Sequence, residues 1–145
     1  MKEELEKEPW AMGADVLREE PDVALPVYDL EERTARFGEA VIELCAKIPM
    51  GPRTNRLIDQ LIGCGTSIGG NYGEADDALS KKDFAKTIGS CRKEARETKF
   101  FIRMLAKACP NLKPDLRRLW NEAHELHLIF SKIWRTTRRN LTHEK

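Results

Sequence analysis

Basic residues with helical spacing are the strongest chemical signal in the second half of the chain. Five of them advance by 4, 3, 4 and 4 positions, which places them on one flank of a helix: Arg92, Arg96, Lys99, Arg103 and Lys107. A second group follows near the C-terminus: Lys132, Arg135, Arg138 and Arg139. Such rows suit nucleic-acid phosphates, and the neighbouring Trp134 could stack on a base or belong to the core. The sequence therefore predicts RNA or DNA binding through these nine cations.

Two other interpretations of the same charges stay open. Residues 1–27 carry 3 Lys+Arg against 8 Asp+Glu, residues 28–80 carry 5 against 9, and residues 81–145 carry 17 against 7. The acidic front half of one protomer could therefore bind the basic back half of the next and build a ring. A charged helix face can also simply be solvated, and cations near a helix C-terminus complement its dipole.

Patterns typical of catalysis or metal binding are missing. His124 and His127 are three positions apart in NEAHELH, but di-metal bundles need Glu-x-x-His on two helices, and zinc proteases need H-E-x-x-H. A solvent-facing or interface role is the better interpretation for both. No serine has a nucleophile elbow, and the four cysteines contain no C-x-x-C pair, so we expect reduced core residues. The sequence predicts no enzyme activity, no metal and no cofactor.

A glycine-rich stretch, GCGTSIGGNYG at 63–73, fits either a ligand-binding loop or a helix with bare backbone. A phosphate loop would need G-x-x-x-x-G-K-[ST], or G-x-G-x-x-G after a strand, and the stretch matches neither. Gly65, Gly69 and Gly73 recur every four residues, so they share one helix face and allow a neighbouring helix to approach closely. The spacing therefore predicts a helix, at a cost of about 1 kcal/mol for each glycine relative to alanine.

Four stretches with apolar residues alternately three and four positions apart must position these side chains. They run from Leu30 to Ile48, Leu57 to Leu79, Phe84 to Cys109 and Leu116 to Thr137. Candidate N-caps precede the first three stretches, at Asp29, Thr54 and Ser80. Because nothing reads as a strand, the heptad repeat and short connections predict an all-α fold, an up-down-up-down antiparallel four-helix bundle at residues 28–145.

Residues 1–27 form an acidic, proline-containing N-terminal extension. It could dock on its own bundle, on a neighbouring protomer or on a partner protein, or shield the basic surface, and the sequence does not choose among these. No apolar run approaches the roughly 20 residues of a membrane span, and MKEELEKEPW lacks the apolar region of a signal peptide. We expect a cytoplasmic protein that does not contact a membrane.

The residues SIGGNYGEAD…SKKDFAKTIGSCRKEARETKFFIRML resemble a family of small four-helix-bundle proteins first noticed in intervening sequences of bacterial 23S ribosomal RNA genes. Members carry S-[IV]-x-x-N-x-x-E-[GA], then S-x-x-[DE]-F and a later glutamate. Ser67, Asn71, Glu74 and Glu94 are polar residues of this match, which covers Tyr28 to Arg139 and leaves the N-terminal extension out. We expect Asn71, Glu74 and Glu94 to form hydrogen bonds between the second and third helices.

The resemblance also implies a function. It implies a cytoplasmic homo-oligomer, often a pentamer, and the family includes proteins similar to the accessory variability protein of diversity-generating retroelements, which works with a reverse transcriptase and binds nucleic acid. The favoured function is thus a non-enzymatic accessory or scaffold protein that binds nucleic acid, with a reverse transcriptase, ribosomal RNA or another protein as partner. The alternative is a protein–protein interaction module that uses its charges for assembly.

Overall fold

The computed structural model describes residues 30–143, which form four α-helices: α1 Leu30–Ala46, α2 Asn55–Asp76, α3 Lys81–Ala108 and α4 Lys113–His143. Each helix packs against the next, and α4 also packs against α1. Because the connections are short, consecutive helices run antiparallel and form the predicted all-α four-helix bundle. No helix within residues 30–143 is long and apolar enough to cross a membrane. The predicted N-terminal extension and the cap at Asp29 lie outside the described residues.

The heptad positions of the sequence form the core. Every heptad position from Ile88 to Cys109 in the third stretch is buried. The six heptad positions of the first stretch are also buried: Leu30, Thr34, Phe37, Val41, Leu44 and Ile48. Leu57, Phe84, Ile133 and Thr137 of the pattern are only partly buried. Leu79 is 98% exposed because α2 ends at Asp76 and leaves it in the connection. All four cysteines are buried and free, as predicted. Burial raises the pKa of Cys45 to about 11.

The helix ends agree with the sequence at one predicted cap and differ at another. The Ser80 side chain accepts a hydrogen bond from the Asp83 backbone N–H at 3.1 Å and caps α3. Thr54 makes no side-chain cap, so that prediction was wrong. Its hydroxyl instead donates to the carbonyl oxygen of Pro49 at 2.6 Å, while the Asn55 side chain accepts from the Gly51 N–H at 2.8 Å. These two hydrogen bonds stabilise the conformation of the α1–α2 connection.

The glycine-rich stretch is helical throughout and faces α1 at two of its three regularly spaced glycines. A Cβ added at Gly65 would lie 2.9 Å from Val41 Cγ2, and one added at Gly69 would lie 3.2 Å from Thr34 Oγ1. At Gly73 no atom of residues 30–143 lies within 4 Å of such an atom. Among these residues the predicted close packing is therefore absent at Gly73.

Gly65→Ala is expected to destabilise the protein by about 1 kcal/mol, although alanine favours a helix. Overpacking a filled site costs about 1–3 kcal/mol, which exceeds the gain of about 1 kcal/mol in helix propensity. Gly73→Ala is the matched control and is expected to stabilise the protein, because its new methyl group meets no atom of residues 30–143. Urea unfolding of the two variants measures both effects. Equal shifts in the same direction would show that α1 does not hold Gly65 closely.

Candidate nucleic-acid interface

The bundle has an acidic half and a basic half. α1 holds two cations and four anions, and α2 holds one cation and three anions. In contrast, α3 holds nine cations and three anions, and α4 holds seven and three. Because α1 packs on α2 and α3 on α4, a formal charge of −4 lies on one side of the bundle and +10 on the other. Polyanions should therefore approach the α3–α4 side.

Seven of the nine predicted nucleic-acid-binding residues are exposed on this side: Arg96, Arg103 and Lys107 on α3, and Lys132, Arg135, Arg138 and Arg139 on α4. The α3 residues form a row about 16 Å long at the helical rise of 1.5 Å per residue. Within residues 30–143, this α3 row has no carboxylate at salt-bridge distance, unlike Arg33 and Arg118. An exposed cation without an anionic partner remains available to a phosphate.

Arg92 and Arg138 contact the ring of Trp134. Their guanidinium carbons lie 4.5 and 5.2 Å from its centroid, within the range of cation–π contacts. The partly buried ring packs on α3 at Gly89, where an added Cβ would lie 3.0 Å from the indole Nε1. Trp134 therefore joins α4 to α3. A base that stacked on this ring would have to compete with two arginines.

Lys99 departs from the predicted surface row. Positions 92 and 99 are seven residues apart and share the side of α3 that packs on α4, whereas 96, 103 and 107 are rotated outward. Lys99 Nζ accordingly lies 2.9 Å from Nδ1 of His127 and 3.2 Å from Nδ1 of His124. Burial, together with the neighbouring charge of Arg96, lowers the pKa of Lys99 to about 8. The ammonium of Lys99 is therefore directed towards α4 and not outwards like the exposed cations of the row, and its contact with nucleic acid stays a prediction.

The two histidines complete this inward-facing cluster. His127 is 8% exposed, and its burial followed by the Lys99 charge lowers its pKa to about 4. Burial and Lys99 also lower the pKa of His124, whose ring stacks on Trp120 at 5.0 Å. Neutral rings that accept from Lys99 at Nδ1 carry their proton on Nε2. Neither histidine is solvent-facing, and no metal-binding group of three or more His, Cys, Asp or Glu residues exists among residues 30–143.

The polar residues of the family motif do not make the predicted bonds between α2 and α3. The Ser67 hydroxyl donates to the carbonyl oxygen of Gly63 in its own helix at 2.6 Å. In the part of the chain that the structure describes, the side chains of Asn71, Glu74 and Glu94 form no hydrogen bond across this interface. Burial and the adjacent Glu97 raise the pKa of Glu94. These three side chains therefore do not link α2 to α3 by hydrogen bonds.

The sequence prediction missed an aromatic residue beside the basic row. Phe100 is 55% exposed, four residues after Arg96 and three before Arg103. Its ring meets that of Phe101 edge to face, with centroids 5.3 Å apart. Phe100 does not belong to the heptad pattern, so an apolar residue off the core stripe and between two arginines was the available signal.

Comparisons with known proteins identify the fold. No protein-family model matches the chain. No curated protein is significantly similar to it in sequence. Among solved structures it is similar to a protein of unknown function from the S23 ribosomal protein family of Bacteroides thetaiotaomicron, at a TM-score of 0.67 and 23% sequence identity. That similarity covers 72% of this chain and 97% of the other.

Proposed function

We propose that this protein is a non-enzymatic, cytoplasmic accessory or scaffold protein that binds nucleic acid through the exposed cations of α3 and α4. The observation that carries the proposal is the row of Arg96, Arg103 and Lys107, exposed on the basic half and without carboxylate partners in residues 30–143. A cation already paired with a carboxylate has less to gain from a phosphate than one that is only hydrated. This row therefore supports binding to a polyanion.

Assembly of the bundle into a symmetric homo-oligomer, a pentamer in the favoured case, would multiply this surface. Rows from several protomers would act together on one polymer, so binding should depend strongly on salt and weakly on sequence. The motif resemblance and the S23-family structural neighbour, whose function is unknown, support a relationship to the 23S intervening-sequence family. A reverse transcriptase or ribosomal RNA is the partner that the resemblance suggests.

The charge separation also supports a second candidate function. An acidic α1–α2 side and a basic α3–α4 side are complementary surfaces, and a head-to-tail contact between them could use the same cations for ring assembly. The protein would then be an interaction module that recruits another protein and does not bind nucleic acid.

Replacing the row by alanine separates the two functions. We expect Arg96→Ala/Arg103→Ala/Lys107→Ala to weaken binding of a labelled RNA about tenfold, because three phosphate contacts are lost. For a DNA duplex, the slope of log K against log salt should fall by about 2–3 between about 50 and 200 mM salt. Fluorescence anisotropy measures both quantities.

The matched control removes three cations from the acidic side. Arg36→Ala/Arg53→Ala/Arg56→Ala changes the net charge equally at exposed positions and is expected to change affinity much less. Light scattering on every variant reports its oligomeric state. An intact row variant that binds with the wild-type affinity and salt slope would contradict the proposal. A row variant that dissociates into monomers would favour the assembly function.

A further inference from the structure

Phe100 is an exposed aromatic ring surrounded by cations. Its side chain is 55% exposed, whereas the adjacent Phe101 packs against the core. On the same helix, Lys93, Arg96 and Arg103 are exposed seven and four residues before it and three residues after it. These spacings place all three cations within two helical turns of the ring and on its side of α3.

A concave surface of about 520 Å³ adjoins the ring. Phe100 and Phe101 form its apolar part, and Gln60 of α2 and Glu97 of α3 bring polar groups to its edge. An amide can donate and accept hydrogen bonds with the edge of a nucleobase, and a carboxylate can accept from its exocyclic amino group. The concavity thus combines an aromatic face, edge partners and the cations Lys93 and Arg96 for the flanking phosphates.

The surroundings of Phe100 favour a base over a protein as its ligand. The other exposed large apolar side chains within residues 30–143 are Ile42, Met50 and Leu79, which lie on α1 and in the connections. Phe100, with the half-buried Phe101 beside it, is therefore a small apolar area in a charged surface, not part of the continuous apolar patch that marks a protein interface. Exposed aromatic rings in a basic groove are typical of single-strand binding, because every unpaired base offers a face for stacking.

We propose that Phe100 is a stacking platform for an unpaired base, so that the preferred ligand is single-stranded nucleic acid or a loop with unstacked bases. The inference rests on the proposed function, since the neighbouring cations must hold the backbone. It goes further by naming the ligand class: the bases of an intact duplex are stacked on each other and cannot reach the ring.

Two substitutions distinguish the contribution of the aromatic face to binding from that of an apolar side chain. Phe100→Leu keeps an apolar side chain but removes the aromatic face, whereas Phe100→Tyr keeps the face. We expect Phe100→Leu to weaken binding of a short labelled oligouridine about tenfold and to leave binding of a DNA duplex unchanged. Phe100→Tyr is expected to bind both ligands like the wild type. Equal losses on both ligands, or no loss on the single strand, would overturn the inference.

The same measurements distinguish failure of this inference from failure of the proposed function. A wild-type protein that binds neither ligand ends both. If it binds both ligands and Phe100→Leu changes nothing, only the stacking platform is wrong. If Phe100→Leu dissociates the oligomer without changing single-strand affinity, Phe100 is an assembly contact and the inference is again overturned. Photocrosslinking with a 4-thiouridine oligonucleotide adds a direct test: an adduct on Phe100 supports the platform, and adducts confined to other peptides contradict it.

Discussion

Phe130→Ala is expected to lower the free energy of unfolding by about 3–5 kcal/mol. Phe130 is fully buried in α4, and its ring lies 5.8 Å from that of Tyr72 in α2 at an angle of 55°. The pair joins two helices that are not consecutive along the chain. Truncation therefore removes apolar burial, an aromatic contact and the filling of the space between the helices, and neighbouring helices can collapse only partly into the cavity.

Phe100→Ala is the control for this prediction because it makes the same chemical change at an exposed position. It is expected to change stability by no more than about 0.5 kcal/mol. Urea unfolding followed by far-UV circular dichroism measures both variants. If the two losses were similar, the contrast in burial between the rings would be wrong. The control also bears on the stacking platform, since a stable Phe100 variant cannot lose single-strand binding through unfolding.

Most of the fold could be predicted from the sequence because the buried residues of a helix bundle recur at a regular spacing along each helix. A side chain on the apolar stripe of a long helix has one place to go, and the heptad positions from Leu30 to Ile48 and from Ile88 to Cys109 are buried accordingly. Two of the errors, Leu79 and Thr54, are at helix ends. At helix ends the apolar spacing does not predict the boundary, because hydrogen bonds within a few residues decide where the helix begins and ends.

The candidate site could be predicted less well. The spacing of residues in the sequence predicts the direction in which each side chain leaves the helix, but not which other helix lies in that direction. Arg96 and Lys99 are both basic and belong to one row, yet Arg96 is exposed while Lys99 contacts two histidines of α4. Their difference depends on where α4 lies. The same limit applies to Gly69 and Gly73: a Cβ at Gly69 would meet Thr34 of α1, whereas a Cβ at Gly73 would meet no atom of residues 30–143.

Lys99→Met is expected to stabilise the protein by about 1 kcal/mol at pH 7, because solvent screening and the lost contacts to the histidines reduce the gain from removing the buried charge. Burial, and to a lesser extent Arg96, lowers the pKa of Lys99 to about 8 from an ordinary value of 10.5. The folded state thus holds the proton less tightly than the unfolded state does. The resulting cost to stability is present in full below about pH 8 and disappears as the pH rises towards 10.5. Methionine fills similar volume without the charge, so it removes this cost.

The pH dependence of the difference between the two proteins is the decisive measurement. The advantage of Lys99→Met should shrink as the pH rises from 8 towards 10.5, since the wild-type amine then loses its proton. Buried thiols act in the opposite direction at high pH, because burial raises the pKa of Cys91 to about 12. They are common to both proteins and cancel in the difference. Urea unfolding of the two proteins across this pH range gives the difference directly.

His127 makes the stability of the protein depend on pH below 6.5 as well. Its pKa of about 4, against an ordinary 6.5, means that stability falls as the pH drops from 6.5 towards 4. Without the Lys99 charge its pKa should rise, although burial, the larger cause, keeps it below 6.5. The acid loss should therefore be smaller in Lys99→Met, and nuclear magnetic resonance titration of the imidazole protons should show the rise.

Lys107→Met is the control on the same helix, at an exposed position, and is expected to have a small effect that does not vary with pH. A Lys99→Met variant that is less stable than the wild type at pH 7 would mean that the bonds to the histidines outweigh the burial of the charge. A stabilised variant that still binds RNA with wild-type affinity would instead separate Lys99 from the nucleic-acid surface. Loss of binding would return it to that surface, since the ammonium would then have to leave the histidines to meet a phosphate.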